Sequence, residues 1–290
     1  MGSDALITFV VTCKGRLEYL RTSLPRLVAQ QNSSVVVVDS DCPDGTANWV
    51  SANFPTVKIV HLSDNGVFNV ARSRNRGFEA AVTKWVCFVD VDVVLADNFV
   101  TQVAQLLEEN SYYRFERSPK NFGVFGSCIA PRTSLSEIGC YDEVFEGYGG
   151  ETKDLYYRLE RAGLSEHYLA HQFIDYVIRH PDNLRSEFYK EKNIRVSRSR
   201  NALYRVAKLN LSLLTDQRNL DIAKRRELYA MAGEAVERAL VSANRQAELK
   251  VQVPLSDSER SKFEFAQFKR SISLEVDLSR IDEGPPAGQG

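Results

Sequence analysis

Asp90 and Asp92 stand at the end of an apolar run, WVCFVDVDVVL, and two carboxylates one residue apart at the mouth of a buried strand offer hard oxygen ligands to a divalent cation. In an open α/β sheet the carboxyl ends of the strands form the ligand crevice, so the pair points to Mg2+ or Mn2+ holding a diphosphate. The triplet recurs as Asp39-Ser40-Asp41, which makes the surroundings decisive. A second cluster is Glu146-Gly147-Tyr148-Gly149-Gly150-Glu151, three glycines around one aromatic with a carboxylate at each end. Glycines permit φ > 0 turns and close approach to the backbone. An aromatic face suits the C–H side of a hexose, and carboxylates accept hydrogen bonds from its hydroxyls, so the string reads as an acceptor platform. Taken alone it also reads as a Gly-rich hairpin whose Tyr covers the core. Asp44-Gly45-Thr46 reads as turn and capping chemistry.

The elements that must position these groups are legible from periodicity. Leu6 to Thr12, Val35 to Asp39, Val57 to Leu62 and Trp85 to Asp90 are short, β-branched runs. Helical spacing separates them at Leu17, Leu20, Leu24, Leu27 and Val28, at Trp49 and Val50, and over Val67 to Val82, and Asp97 is placed to cap a helix running toward Glu109. The alternation predicts an α/β fold with a mostly parallel sheet flanked by helices, and it brings Asp39, Asp90 and Asp92 to one edge. From about Asn183 charged helical segments follow, with a long helix over Asn219 to Arg245, and the chain ends in GPPAGQG, which reads as disordered. The expected division is 1–182, a helical extension over 183–280, and a tail over 281–290.

With 290 residues, 43% of them hydrophobic, and a net charge of -1, the chain can bury a sizeable core and carries no polycationic signature of a nucleic-acid binder. Five cysteines, Cys13, Cys42, Cys87, Cys128 and Cys140, form no CxxC pair and suggest a reduced, cytoplasmic setting. The start of the chain runs almost directly into a strand, which is read as leaving no room for a signal peptide.

These motifs resemble the GT-A glycosyltransferases of the family 2 type, and within them the β-1,4-galactosyltransferase-like branch, over about Leu6 to Pro181. TCKGRLEYL is similar to the opening strand and loop, placing Lys14 and Arg16 near the nucleotide. VVDSDCPDGT looks like the family's VVDDGSTDGT, whose first Asp reads the uracil ring; here that is Asp39. VFNVARSRNRGFEAA resembles the segment whose Phe packs on the base, which implies Phe68, with Arg72 in the basic position. FVDVDVVLADNF supplies Asp90 and Asp92 for metal and diphosphate, and EIGCYDEVFEGYGGETKDLYYRL resembles the acceptor motif, with Tyr148, Gly149 and Gly150. The resemblance also implies His180 as a further ligand of Mn2+ or Mg2+; His61, His167 and His171 read as strand-end or strand-edge residues. It implies a UDP-sugar donor and a glycan, lipid-linked or small-molecule acceptor.

One departure matters. Inverting members read Glu-Asp-x-Asp after the glycines, and the Asp after the Glu deprotonates the acceptor; here the string is Glu151-Thr152-Lys153-Asp154. Threonine cannot serve as a general base near neutral pH. Glu151 or Asp154 takes the role with inversion, or configuration is retained, or catalysis is lost and a nucleotide-sugar or glycan-binding protein remains. The reading favoured is inversion with Glu151. A nucleotidyltransferase would want a Gly-rich phosphate loop after the first strand, which Thr12-Cys13-Lys14-Gly15-Arg16 does not supply.

Basic residues crowd 185–208, including Arg185, Lys190, Lys192, Arg195, Arg198, Arg200, Arg205 and Lys208. They suit closure over the donor diphosphate, a solvated helix face, or peripheral contact with anionic lipid if Leu203, Tyr204, Val206, Leu209 and Leu213 form an apolar stripe. The helix after Asn219 offers Leu228, Met231, Ala235 and Leu240 for packing on the domain or on a second subunit, a homo-oligomer.

Overall fold

The computed structural model describes residues 5–63, 66–116, 123–179, 181, 184, 186–255 and 269–282, and the chain divides into two compact units. The first comprises 1–143 and 151–190, the second 144–150 and 191–290.

In the first unit β1 (Ile7–Cys13), β2 (Ser33–Asp39), β3 (Lys58–His61) and β4 (Trp85–Phe88) pair in parallel, with α1 (Leu17–Val28), α2 (Thr46–Asn53) and α3 (Val70–Ala80) in the crossovers. The β-branched runs of β1 and β2 are buried on both faces, as parallel strands between helices must be. After β4 come β5 (Val93–Leu95), α4 (Phe99–Val103), β6 (Ser111–Phe115), β7 (Cys128–Pro131), α5 (Arg132–Glu137), α6 (Glu151–Arg161), β8 (Ser165–Leu169) and β9 (Ile174–Val177). The seven-stranded sheet runs β3-β2-β1-β4-β7-β6-β8, with β7 antiparallel to both neighbours, and β5 pairs separately with β9. The predicted alternation is therefore present, with one antiparallel strand inside an otherwise parallel sheet.

The helix expected to run toward Glu109 stops at Val103. Tyr113 hydroxyl donates to the Leu106 carbonyl and accepts the Glu108 N–H, which holds the chain in a turn instead. His61 ends β3, and His167 lies on the edge strand β8, as expected, while His171 opens a short 3₁₀ turn.

Helix α3 matters most for the site. Asn69 caps it, its side chain accepting the Arg72 N–H at 2.9 Å, so the helix starts at a fixed residue. Gly77 lets the helix press onto the sheet, since a Cβ there would fall 2.2 Å from a Val10 methyl. That approach carries Arg74 into the interior, 4% exposed.

In the second unit α7 (Ile194–Leu214) packs on α8 (Ile222–Val241) and on a hairpin of β10 (Gln246–Val253) and β11 (Arg270–Asp277). The extension is thus not wholly helical. β10 alternates exposed and buried residues, with Leu249, Val251 and Val253 facing the core that contains Leu228, Ala232, Ala235 and Val236 of α8. The helix expected over Asn219 to Arg245 spans Ile222–Val241, and a turn after it leads into this strand at Gln246. Leu203 and Tyr204 belong to the same core, so they are not a surface stripe. Lys208 is buried too, its ammonium 5.3 and 5.4 Å from the centroids of Phe145 and Tyr204. No described helix is long and apolar enough to cross a membrane. The expected tail lies, from 283 onward, outside the described residues.

Candidate active site

The first unit concentrates its chemistry where β4 ends. Asp90 follows β4, and its N–H donates to the Ser127 hydroxyl at 3.0 Å. Its Oδ1 accepts Arg74 Nη2 at 2.6 Å. The guanidinium's other arm, Nη1, donates to the Thr152 hydroxyl at 3.2 Å and to the Tyr141 hydroxyl at 3.3 Å, and lies 3.8 Å from Glu151 Oε1. Thr152 in turn donates to Glu151 Oε1 at 3.0 Å. One buried arginine therefore ties the strand-end carboxylate to the first turn of α6. Sequence reasoning passed over Arg74; its three-residue spacing from Ala71 and Gly77 on the buried stripe of α3 was the available signal.

Electrostatics follow the same geometry. Burial raises the Asp90 carboxyl above its usual value, Arg74 pulls it back, and Asp92 raises it further. Burial would weaken the Arg74 charge, but Tyr141, Asp90 and Glu151 outweigh it and hold the guanidinium firmly protonated. The close approach depends on Gly126, where a Cβ would sit 2.4 Å from Asp90 Oδ2 and 2.8 Å from Arg74 Nη2. Gly126→Ala is expected to force the ion pair apart and cost about 1–3 kcal/mol, as overpacking of a tight interior does. Urea unfolding of the variant checks this; an unchanged midpoint would count against it.

Asp92 is 7% exposed, and its carbonyl accepts the Ile178 N–H. Among the described residues no group of three or more His, Cys, Asp or Glu forms a cage for a metal, and His180 lies outside them. The donor set still suits an ion shared with a diphosphate, because Mg2+-type sites take one or two carboxylates and leave the rest to phosphate and water. Asp92 would be the principal ligand. Asp90, expected as an equal partner, has one oxygen committed to Arg74 and would reach an ion only through Oδ2.

Glu151 is buried, and its Oε2 has no hydrogen-bond partner. Asp154, one turn along α6, is 2% exposed and accepts Arg158 Nε at 2.8 Å within the helix. Its carboxylate is therefore engaged in the helix's own ion pair, which sets it apart from Glu151, whose Oε2 has no partner.

The expected nucleotide residues lie around β1 and β2. Asp39 accepts two backbone N–H groups, Cys42 at 2.7 Å and Ala47 at 2.8 Å, so its carboxylate holds the loop into α2. Lys14 Nζ donates to the Ser40 carbonyl at 3.0 Å, and Arg16 Nη2 to the Leu184 carbonyl at 3.0 Å. Phe68 donates its N–H to the Phe188 carbonyl, and its ring lies 5.5 Å from that of Tyr189. Phe188 itself covers Gly15. Leu184 thus meets Arg16, Phe188 and Tyr189 meet Phe68, and a base stacking on Phe68 would contend with Tyr189. Arg72 sits in the first turn of α3, half-buried.

In the second unit Gly147, Gly149 and Gly150 all have positive φ, at 72, 85 and 99°. The close approach they allow is made by α7. Ser197 Oγ accepts the Tyr148 N–H at 2.7 Å and would lie 2.3 Å from a Cβ on Gly147, and Asn201 donates to the Glu146 carbonyl. Arg198 stacks 5.0 Å above the Tyr148 ring.

Residues 8–126 match the sequence model of Glycosyl transferase family 2. Glycosyltransferase GlyG of Streptococcus pneumoniae is 24% identical over 129 residues, 40% of this chain and 42% of that protein. The uncharacterized glycosyltransferase YibD of Escherichia coli is 25% identical over 116 residues, 38% of this chain and 33% of its own. The match thus spans less than half of either relative. Among solved structures, S. aureus TarS 1-349 in complex with UDP-GlcNAc superposes with a TM-score of 0.55 at 17% identity, covering 78% of this chain and 70% of that one. The mannosyltransferase PcManGT of Pyrobaculum calidifontis, in complex with GDP-Man and Mn2+, gives 0.54 at 14%, covering 82% and 76%. The chain accordingly has the GT-A fold, and its residues 8–126 are similar to glycosyl transferase family 2.

Proposed function

We propose that this chain is a metal-dependent glycosyltransferase that moves a hexose or N-acetylhexosamine from a UDP-sugar to an acceptor hydroxyl with inversion. The observation that carries the reading is Glu151, whose Oε1 is held by Thr152 beside Arg74 while Oε2 stands buried without a partner. A carboxylate held on one side and left without a partner on the other has an oxygen available to take a proton, as a general base must. Thr152 replaces the family's Asp, and its hydroxyl orients the neighbouring carboxylate instead of accepting the proton.

Bound at Asp92, a divalent ion would neutralise charge on the departing nucleoside diphosphate. The chain's own contribution is to aim Glu151, to hold Asp90 in place against Arg74, and to supply Lys14, Arg16 and Arg72 as cations around the donor. Asp39 supports the reading of the base only through lone pairs left after its two backbone contacts. Tyr148 and the glycines beside it would receive the acceptor.

A screen of nucleotide sugars with Mn2+, read as released nucleoside diphosphate, tests the reading; no release from any donor with any acceptor class would favour a binding protein. UDP is expected to outcompete GDP and ADP, since a buried acceptor left unpaired by the wrong base costs about 1–3 kcal/mol. A preference for GDP would overturn the choice of donor. Asp92→Ala is expected to abolish the Mn2+ dependence of UDP-sugar binding in calorimetric titration, and equal affinity of the parent protein in EDTA and in Mn2+ would remove the ion.

A further inference from the structure

Cys13 ends β1 and is fully buried, while Cys42 lies in the loop after β2 and is half-buried. Thr46, the first residue of α2 and fully buried, stands between them. Its hydroxyl donates to Cys42 Sγ at 3.0 Å and lies 3.3 Å from Cys13 Sγ. A hydroxyl has one proton to give, so with that proton on Cys42 the Cys13 S–H is the donor in the second contact. Cys42 Sγ also accepts the Gly15 N–H at 3.1 Å. The direction of the chain of hydrogen bonds is therefore set: Cys13 gives, Thr46 relays, and Cys42 receives from two donors at the start of a helix.

We propose that Cys42 is a site of oxidation by hydroperoxides and that Cys13 resolves it as a disulfide. A sulfur that only accepts hydrogen bonds is stabilised as thiolate, and the thiolate is the reactive form. The neighbouring Cys13 thiol, linked through Thr46, and the hydrogen bonds from Thr46 and the backbone lower the Cys42 thiol to about 5, while its interaction with Cys42 and then burial raise Cys13 well above its ordinary value. The two sulfurs are thus unequal, one nucleophile and one protonated reserve. Cys87, Cys128 and Cys140 are buried, and burial raises each of them.

The chemistry balances. The Cys42 thiolate attacks the distal oxygen of the hydroperoxide; the O–O bond breaks, the alkoxide or hydroxide leaves and takes a proton, and Cys42 becomes a sulfenic acid. Cys13 loses its proton, passed along Thr46, and attacks the Cys42 sulfur; the S–O bond breaks and water departs. The pair has given two electrons to the peroxide, and a thiol reductant returns them. Forming the bond takes Cys42 from the Gly15 N–H and Thr46, and so disturbs the loop that carries Lys14 and Arg16. The consequence for donor affinity rests on the function proposed above; the sulfur chemistry does not.

The test treats the full chain with a slight excess of hydrogen peroxide, blocks free thiols, and maps peptides without reduction. Trypsin separates the two cysteines, since Cys13 lies before Lys14 and Cys42 lies between Arg26 and Lys58. The expected product is one species joining those two peptides, reversed by dithiothreitol. Cys13→Ala should instead stop at a Cys42 sulfenic acid that a dimedone probe captures. Thr46→Val, which keeps the shape and removes the hydroxyl, should slow Cys42 oxidation by about tenfold or more. An unlinked Cys42 in the parent protein overturns the resolving role. An oxidation rate unchanged in Thr46→Val overturns the relay. Donor binding that is unchanged in the disulfide form overturns only the link to the nucleotide loop, because the linked peptide is read independently of it.

Discussion

Glu151→Gln is expected to lower turnover by about 10²-fold or more while leaving donor affinity nearly unchanged, because the amide keeps the shape and the Thr152 contact but cannot take a proton. The buried, unpartnered Oε2 is the atom lost to the chemistry. The transferred sugar should have inverted anomeric configuration, read by proton NMR of the product before mutarotation. Turnover unchanged in the variant would show that the carboxylate only orients a hydroxyl, and a retained anomer would move the reaction to the retaining class. Asp154→Asn serves as the contrast. Its partner is Arg158, so its loss should register in the stability of α6 well before it registers in the chemical step.

Arg74→Met is expected to be among the most damaging single substitutions in the first unit. It leaves Asp90, Glu151 and Thr152 around a void of charge, and removing one partner of a buried ion pair costs about 3–5 kcal/mol. Urea unfolding should show that loss as a shifted midpoint. Arg74→Lys separates stability from positioning: it keeps the charge but cannot bridge Asp90 and Thr152 with two arms. If the bridge aims Glu151, the lysine variant should recover much of the stability yet lose turnover with little change in KM. Full recovery of turnover by lysine would reduce Arg74 to a structural charge.

The strand-helix alternation was legible because buried parallel strands are written as continuous β-branched runs, as in VVVVD, and the helices between them repeat apolar residues at helical spacing. The placement of Asp90 and Asp92 at a strand end followed from the same runs. So did the positive-φ turns around Tyr148, because local glycine content sets local backbone freedom. These are properties of short windows, and a sequence states them directly.

Pairings across long separations were another matter. Arg74 meets Asp90 across 16 residues and Thr152 across 78, and nothing in a charged helix side chain announces that Gly77 and Gly126 will let it be buried. The antiparallel strand β7, the hairpin β10–β11 and the burial of Leu203, Tyr204 and Lys208 likewise depend on what each segment packs against. Asp154 and Glu151 are three residues apart, both acidic and both buried, and the sequence favoured Glu151 only by its place beside the glycines. Arg158 claims one and Thr152 orients the other, and that choice was made by which side chains the packed helix brings within hydrogen-bond reach.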